Sequence, residues 1–233
     1  MDDTAYPLTA MQQGMLYESI EAPADAGVYI EQAVCRLEEA LDTERLVACW
    51  ETVTARHAAL RTYFAWEGRL AAQQYVAAHV ELPVVEDDWR DVPAAAQETG
   101  LGALLANDRA RGFDLARPPL QRLTLVRLAD ARYWCLWTIH HALVDGRAIA
   151  QVLREVFALY DEGGATPRPS QEDTEEEGSA FPPRHCERSE AISSQEDTEE
   201  DGSAFTKGLR RGTQETGGNR DFRDYVAYVE GMP

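Results

Sequence analysis

Residues 133–146 read YWCLWTIHHALVDG. In an extended strand, Trp134, Leu136, Thr138 and His140 face one way, while Cys135, Trp137, Ile139 and His141 face the other. The adjacent histidines therefore cannot share one pocket unless the strand bends, and only one of them can be a working group. Asp145-Gly146 then stands at the start of a helix over Arg147 to Tyr160, with Ile149, Val152, Leu153, Val156 and Tyr160 on one side. An apolar strand that ends in polar residues and feeds an amphipathic helix fits an α/β or α+β chain.

Working outward, Leu120 to Leu128 forms the preceding strand, joined to Tyr133–His140 by an Ala-Asp-Ala-Arg turn. Ala94 to Arg111 is Ala- and Leu-rich and is expected to be helical. Thr9 caps a helix to about Ser19, with Met11, Met15 and Leu16 on one face. Val28 to Leu37 reads as a strand, and Asp42 caps a helix through about His57. Leu60–Trp66 and Leu70–Tyr75 read as a hairpin across Glu67-Gly68-Arg69, with a further strand over Val80–Val85. Asp221 to Glu230 is a short amphipathic segment. Strands mixed with crossover helices give one mixed sheet covered by helices. Trp50, Trp66, Trp134 and Trp137 are expected in its core.

The charge divides the chain. Lys and Arg number 22 against 41 Asp and Glu, a net −19 over 233 residues. Between Asp161 and Phe205 there are 14 acidic and 3 basic residues, a net −11. Ser170–Phe181 and Ser194–Phe205 are identical at 11 of 12 positions. Each copy offers one Phe among charges, too little apolar surface to offset the entropy of ordering. The expected organisation is a lobe over 1–161, a disordered acidic low-complexity insert over 162–219, and a further short segment over 220–233.

Composition also excludes function classes. A polyanion repels phosphates, so nucleic acid is not an expected partner. No apolar run of about 18 residues exists to span a membrane. The acidic start, MDDTAYPLTA, has no apolar stretch typical of a secretory leader. Cys35, Cys49, Cys135 and Cys186 lie far apart, without a metal-binding pair. The first three sit in apolar patterns and read as buried thiols. A reduced, cytoplasmic protein is the expectation.

The His-His motif admits three chemistries. Two histidines and Asp145 lack the usual spacing for one metal ion. As plain structure, both histidines are interior and Asp145 is a helix cap. As a catalytic site, a neutral imidazole at a strand end accepts a proton near pH 7, its ordinary pKa being about 6.5. Arg61, in the stretch Arg56 to Thr62 (RHAALRT), shares a strand face with Tyr63 in this reading. A lone cation on a sheet needs a carboxylate, and Asp145 is the candidate partner.

Residues 137–146, WTIHHALVDG, resemble the HHxxxDG motif of nonribosomal peptide synthetase condensation domains, shared with chloramphenicol-acetyltransferase-like acyltransferases. Residues 6–16, YPLTAMQQGML, resemble that family's opening motif, and residues 56–62 its RHxxLRT motif. Residues 222–228, FRDYVAY, resemble the segment after its first lobe, where a Trp more often takes the last position. The resemblance covers about Tyr6–Tyr160 and Asp221–Tyr228. It implies a chloramphenicol-acetyltransferase-like α/β lobe in which His141 is catalytic, beside the motif residue His140. Asp145 holds the loop through a salt bridge to Arg61, and Gly146 permits a tight exit and close approach of substrate.

The reaction so implied joins a donor acyl or peptidyl thioester to an aminoacyl thioester, both tethered to peptidyl carrier proteins. No cofactor is bound permanently, because phosphopantetheine arms arrive on those partners. Family members are about twice as long and two-lobed, so the expectation is an N-terminal half acting with a separate C-terminal lobe. The alternatives are an oligomeric acetyltransferase-type enzyme and a non-catalytic remnant or protein-binding module.

Overall fold

The computed structural model describes residues 4–23, 25–163 and 226–228. The expected acidic insert over 162–219 lies outside the described residues, apart from Glu162 and Gly163. Residues 220–233 and Cys186 lie outside them likewise, apart from 226–228.

Two sheets organise the lobe. Strand β1 (Thr4–Pro7) precedes helix α1 (Ala10–Glu21), strand β2 (Ile30–Leu37) and helix α2 (Thr43–Arg56). A 3-10 turn (Ala58–Arg61) leads to β3 (Thr62–Ala65), β4 (Gln73–Val76) and β5 (Val84–Asp88). Helix α3 (Ala94–Arg111), strands β6 (Gln121–Ala129) and β7 (Arg132–His140), helix α4 (Gly146–Asp161) and β8 (Val226–Tyr228) complete the order. The small sheet runs β1-β4-β3 and the large one β5-β6-β7-β2-β8. In the large sheet β5 pairs with β6 in parallel and the other pairs are antiparallel, so it is mixed as expected.

The alternation along β7 sorts the core. Cys135, Trp137 and Ile139 pack with Trp50 and Val53 of α2 and with Val152 and Val156 of α4. Trp134 and Leu136 pack on the other face against Leu101 and Leu105 of α3. A third cluster joins Leu16 of α1, Phe64 of β3, Leu120 and Ala142 beneath the histidine loop. Trp50, Trp134 and Trp137 are buried, and Trp66 is half-buried at the edge of that third cluster. Both faces of the large sheet are therefore covered, which is why its central strands are apolar on both sides.

Local chemistry fixes the helix ends. The Thr9 hydroxyl accepts from Gln12 N while the Gln12 side chain accepts from Thr9 N, a closed capping box for α1. Asp42 accepts from Arg45 N at 3.0 Å to cap α2, and the Tyr160 hydroxyl of α4 accepts from Asp42 N at 2.9 Å. Helix α3 has Pro93 at its cap position and no side-chain cap. A buried charged group anchors it instead. Asp108 Oδ1 lies 2.6 Å from Arg122 Nε, and Asp108 Oδ2 accepts from Thr138 Oγ1 at 2.6 Å and Gln32 Nε2 at 2.9 Å. Burial pushes the Asp108 carboxyl up, but hydrogen bonds from Arg122 and Thr138 outweigh it and hold the group below its ordinary value.

Several expectations are corrected. Met11 is exposed, so the inward face of α1 carries buried Leu16 and half-buried Met15 only. Arg61 ends a 3-10 turn and is not a strand residue. The strand expected from Val80 begins at Val84, and β1 has no counterpart among the expected elements. Within the 221–230 segment, β8 adds a strand beside β2.

Candidate active site

The β6–β7 hairpin delivers the two histidines to the end of the sheet. His140 N donates to Leu120 O at 3.0 Å, and His141 N donates to Tyr29 O at 2.8 Å. The chain then turns back on itself, Leu143 N bonding to His140 O at 3.1 Å, before α4 begins. Tyr29 takes up a left-handed backbone conformation, φ +55°, which is costly for a residue with a side chain. Its hydroxyl donates to Glu18 of α1. The strained carbonyl therefore sits where it receives the His141 backbone.

His140 is sealed. It is 2% exposed, and its Nδ1 accepts from Ala142 N at 3.2 Å. That assigns the proton to Nε2, which donates to Ser19 Oγ at 3.2 Å, while Ser19 Oγ donates to Met15 O at 2.7 Å. Burial, with a smaller contribution from neighbouring His141, lowers the His140 pKa to about 4. This ring is a neutral fastener between α1 and the loop. A second fastener lies two turns earlier, where Gln12 Nε2 donates to Ala142 O at 3.2 Å.

His141 is the open one. Its side chain is 29% exposed, yet its Nδ1 is buried without a hydrogen bond and stands 3.8 Å from Glu31 Oε1. The exposure falls on the rest of the ring, and Nε2 is bonded to no described residue. A buried nitrogen without a partner costs about 1–3 kcal/mol. The pair sits on the α2/α4 face of the sheet, because Glu31 pairs with Ile139 and His141 continues the same side of β7.

Asp145 and Arg61 are not brought together. Among the described residues they form no ion pair, correcting the expected bridge. Asp145 Oδ1 accepts from Ala148 N at 2.7 Å and so caps α4. Arg61 Nη1 instead donates to Ala77 O and, at 3.4 Å, to Ala78 O, at the end of β4, and its Nε is buried without a partner. The physical reason is local: the cap engages the carboxylate at its own helix, and the 3-10 turn directs the guanidinium to backbone carbonyls. The motif at 56–62 reaches α4 by another route. Arg56 Nη1 lies 3.0 Å from Glu155 Oε1 and His57 Nε2 lies 2.6 Å from Glu155 Oε2. Gly146 opens α4 with an ordinary φ, so no tight turn demands glycine there; a Cβ at that position meets nothing within 4 Å, which leaves its flank open.

Ser19, Tyr29 and Glu31 escape the sequence reading. Glu31 has a visible signal, since it is an acid on the same strand side as the apolar Ala33, Cys35 and Leu37. Ser19 and Tyr29 have none, because both act through partners more than ten residues away. Among the described residues no three His, Cys, Asp or Glu side chains gather at metal-binding distance, and no helix is long and apolar enough to cross a membrane.

The sequence and the fold have counterparts. The sequence profile of the family described as "Condensation domain" matches residues 2–176. The chain is 43% identical over 158 residues to a linear gramicidin synthase polypeptide of Brevibacillus parabrevis, covering 68% of this chain and 3% of that protein. It is 31% identical over 155 residues to bacitracin synthase 1 of Bacillus licheniformis, covering 66% and 3% respectively. The chain thus spans a small fraction of the length of these curated relatives. Its fold superposes on the starter condensation domain of rhizomide synthetase RzmA with TM-score 0.60 and 20% identity, over 72% of this chain and 42% of that one. The structure of tallysomycin biosynthesis protein TlmII gives TM-score 0.60 and 25% identity, over 70% and 40%.

Proposed function

This chain belongs to the condensation-domain family, and from that premise we propose that its lobe takes part in amide bond formation between two carrier-bound thioesters in nonribosomal peptide synthesis. The observation that carries the reading is the contrast between the histidines: burial holds His140 neutral, with its two nitrogens bonded to Ser19 and Ala142, while His141 is 29% exposed and its Nε2 is bonded to no described residue. A base must present a free lone pair, and of the two motif histidines only His141 has a nitrogen open to do so.

In the proposed reaction the amine of the acceptor aminoacyl thioester attacks the donor thioester carbonyl. The C–N bond forms, the C–S bond breaks, and the donor pantetheine arm leaves as thiolate. His141 Nε2 takes the proton from the attacking nitrogen and returns it to that sulfur. General base catalysis of this kind is worth about 10²–10⁴-fold. Alignment of two tethered reactants contributes more, about 7–11 kcal/mol of barrier for well-oriented groups. Both arms come with peptidyl carrier proteins, and the lobe itself holds no resident cofactor in this proposal. Asp145, Gly146 and Arg61 act structurally: the cap starts α4, the glycine leaves its flank open, and the arginine ties the 3-10 turn to the end of β4.

A partner lobe belongs to the proposal. The superposition spans 42% of the RzmA condensation domain chain, which fits one half of a two-lobed site. The test supplies donor and acceptor substrates on loaded carrier proteins, to this chain alone and with a complementary C-terminal condensation lobe. Amide product on the acceptor carrier, read by mass spectrometry with the second lobe present, is the expected result. No product under either condition overturns the reading in favour of a lobe without chemistry.

A further inference from the structure

We infer that Glu31 is a positioning residue for His141, fixing its ring so that Nδ1 carries the proton and Nε2 the lone pair. The inference rests on the proposed role of His141, but its geometry stands independently. His141 Nδ1 is buried, has no hydrogen bond, and its neighbour at 3.8 Å is the Glu31 carboxylate. Both side chains are a little under one-third exposed, so this edge of the ring is largely withdrawn from water. An imidazole N–H pointed at a carboxylate is favourable, whereas a bare nitrogen lone pair pointed there is repelled. The tautomer with Nδ1–H follows. It leaves Nε2, the open nitrogen, as the acceptor a base requires.

The separation exceeds a hydrogen bond, and catalytic contacts in unliganded sites are often long before substrate tightens them. The backbone keeps the pair close enough to complete it. Glu31 stands opposite Ile139 in the β2–β7 ladder, and His141 N is bonded to Tyr29 O two residues before Glu31. The two side chains are thus held by the same antiparallel ladder, on the same face of the sheet. His140, one residue earlier, turns to the opposite face and has the opposite tautomer, with Nε2–H donating to Ser19. Adjacent histidines at the end of β7 are assigned complementary proton positions by different partners.

Long-range ¹H–¹⁵N correlation spectra of the full chain, labelled at histidine and recorded at alkaline pH where imidazoles are neutral, read this directly. A His141→Gln variant identifies the ring signals. Wild-type His141 is expected to show a protonated Nδ1 and a bare Nε2. Glu31→Ala should move the proton to Nε2, the form imidazole prefers in water, while Glu31→Gln restores Nδ1–H because its carbonyl oxygen still accepts. His140 signals that stay unchanged in both variants show that the fold is intact. A wild-type His141 protonated on Nε2, or a Glu31→Ala spectrum identical to wild type, overturns the assignment. Neither readout depends on turnover, so its failure is separate from failure of the condensation assay.

Discussion

His140 Nε2 lies 3.2 Å from Ser19 Oγ, and that contact separates two histidines which the sequence alone presents as equals. With Nδ1 accepting from Ala142 N, the first ring has used both nitrogens. The second has used neither in a hydrogen bond to the described residues and is the one proposed to react. Diethyl pyrocarbonate should therefore acylate His141 in the native chain much faster than His140, as mapped by peptide mass spectrometry. Equal rates, or protection of His141, would show that the division does not exist in solution.

Stability should depend on pH through His140. Its pKa falls from 6.5 unfolded to about 4 in the fold, so between these values the unfolded chain binds more protons. Stability from this group is therefore complete above about pH 6.5 and declines as the pH drops through the window to about 4. The full span corresponds to about 3 kcal/mol. Urea midpoints measured across that range should fall for wild type and fall less for His140→Asn. Parallel curves for the two proteins would refute the burial argument.

Asp145 and Arg61 should act independently. Asp145→Ala removes the α4 cap and is expected to cost about 1 kcal/mol. Arg61→Ala removes bonds to the Ala77 and Ala78 carbonyls. In a double-mutant cycle by urea denaturation the two effects should add to within about 0.5 kcal/mol. A coupling above about 1 kcal/mol would restore the salt bridge that the geometry lacks.

Asp108 carries the heaviest structural consequence. Asp108→Ala leaves Arg122, 5% exposed, with no carboxylate. Removing one member of a buried pair costs about 3–5 kcal/mol. Asp108→Asn, which keeps part of the hydrogen bonding to Thr138 and Gln32, should cost less. A small loss for Asp108→Ala in thermal unfolding would mean that α3 is anchored by its apolar contacts alone.

How much of this is readable in advance depends on the range of the interactions. Periodicity and caps place α2, α3 and α4 to within a residue or two, because Asp42 and Asp145 are local signals and the apolar spacing of Ile149, Val152, Leu153 and Val156 is local too. The β6–β7 hairpin is equally plain, and with it the opposite facing of His140 and His141. Short strands are not: β1 has four residues and owes its existence to pairing with β4, some seventy residues away. The site divides in the same way. His141 is the candidate that the motif singles out, but its environment is not legible there. The expected Asp145–Arg61 bridge assumes a strand at Arg61, where a 3-10 turn stands, and overlooks Glu155, which takes both Arg56 and His57. Ser19 and Tyr29 reach the histidines only across the folded lobe. A carboxylate at position 31, on an apolar strand side, is the one legible sign of that environment.

The most direct measurement compares amide formation from carrier-bound donor and acceptor, with the complementary lobe supplied, for wild type and His141→Ala at matched folded concentration. The expected outcome is an unchanged melting curve and a loss of turnover on the order of 10²–10⁴-fold. Full turnover by the alanine variant would contradict the assignment of His141 as the proton acceptor.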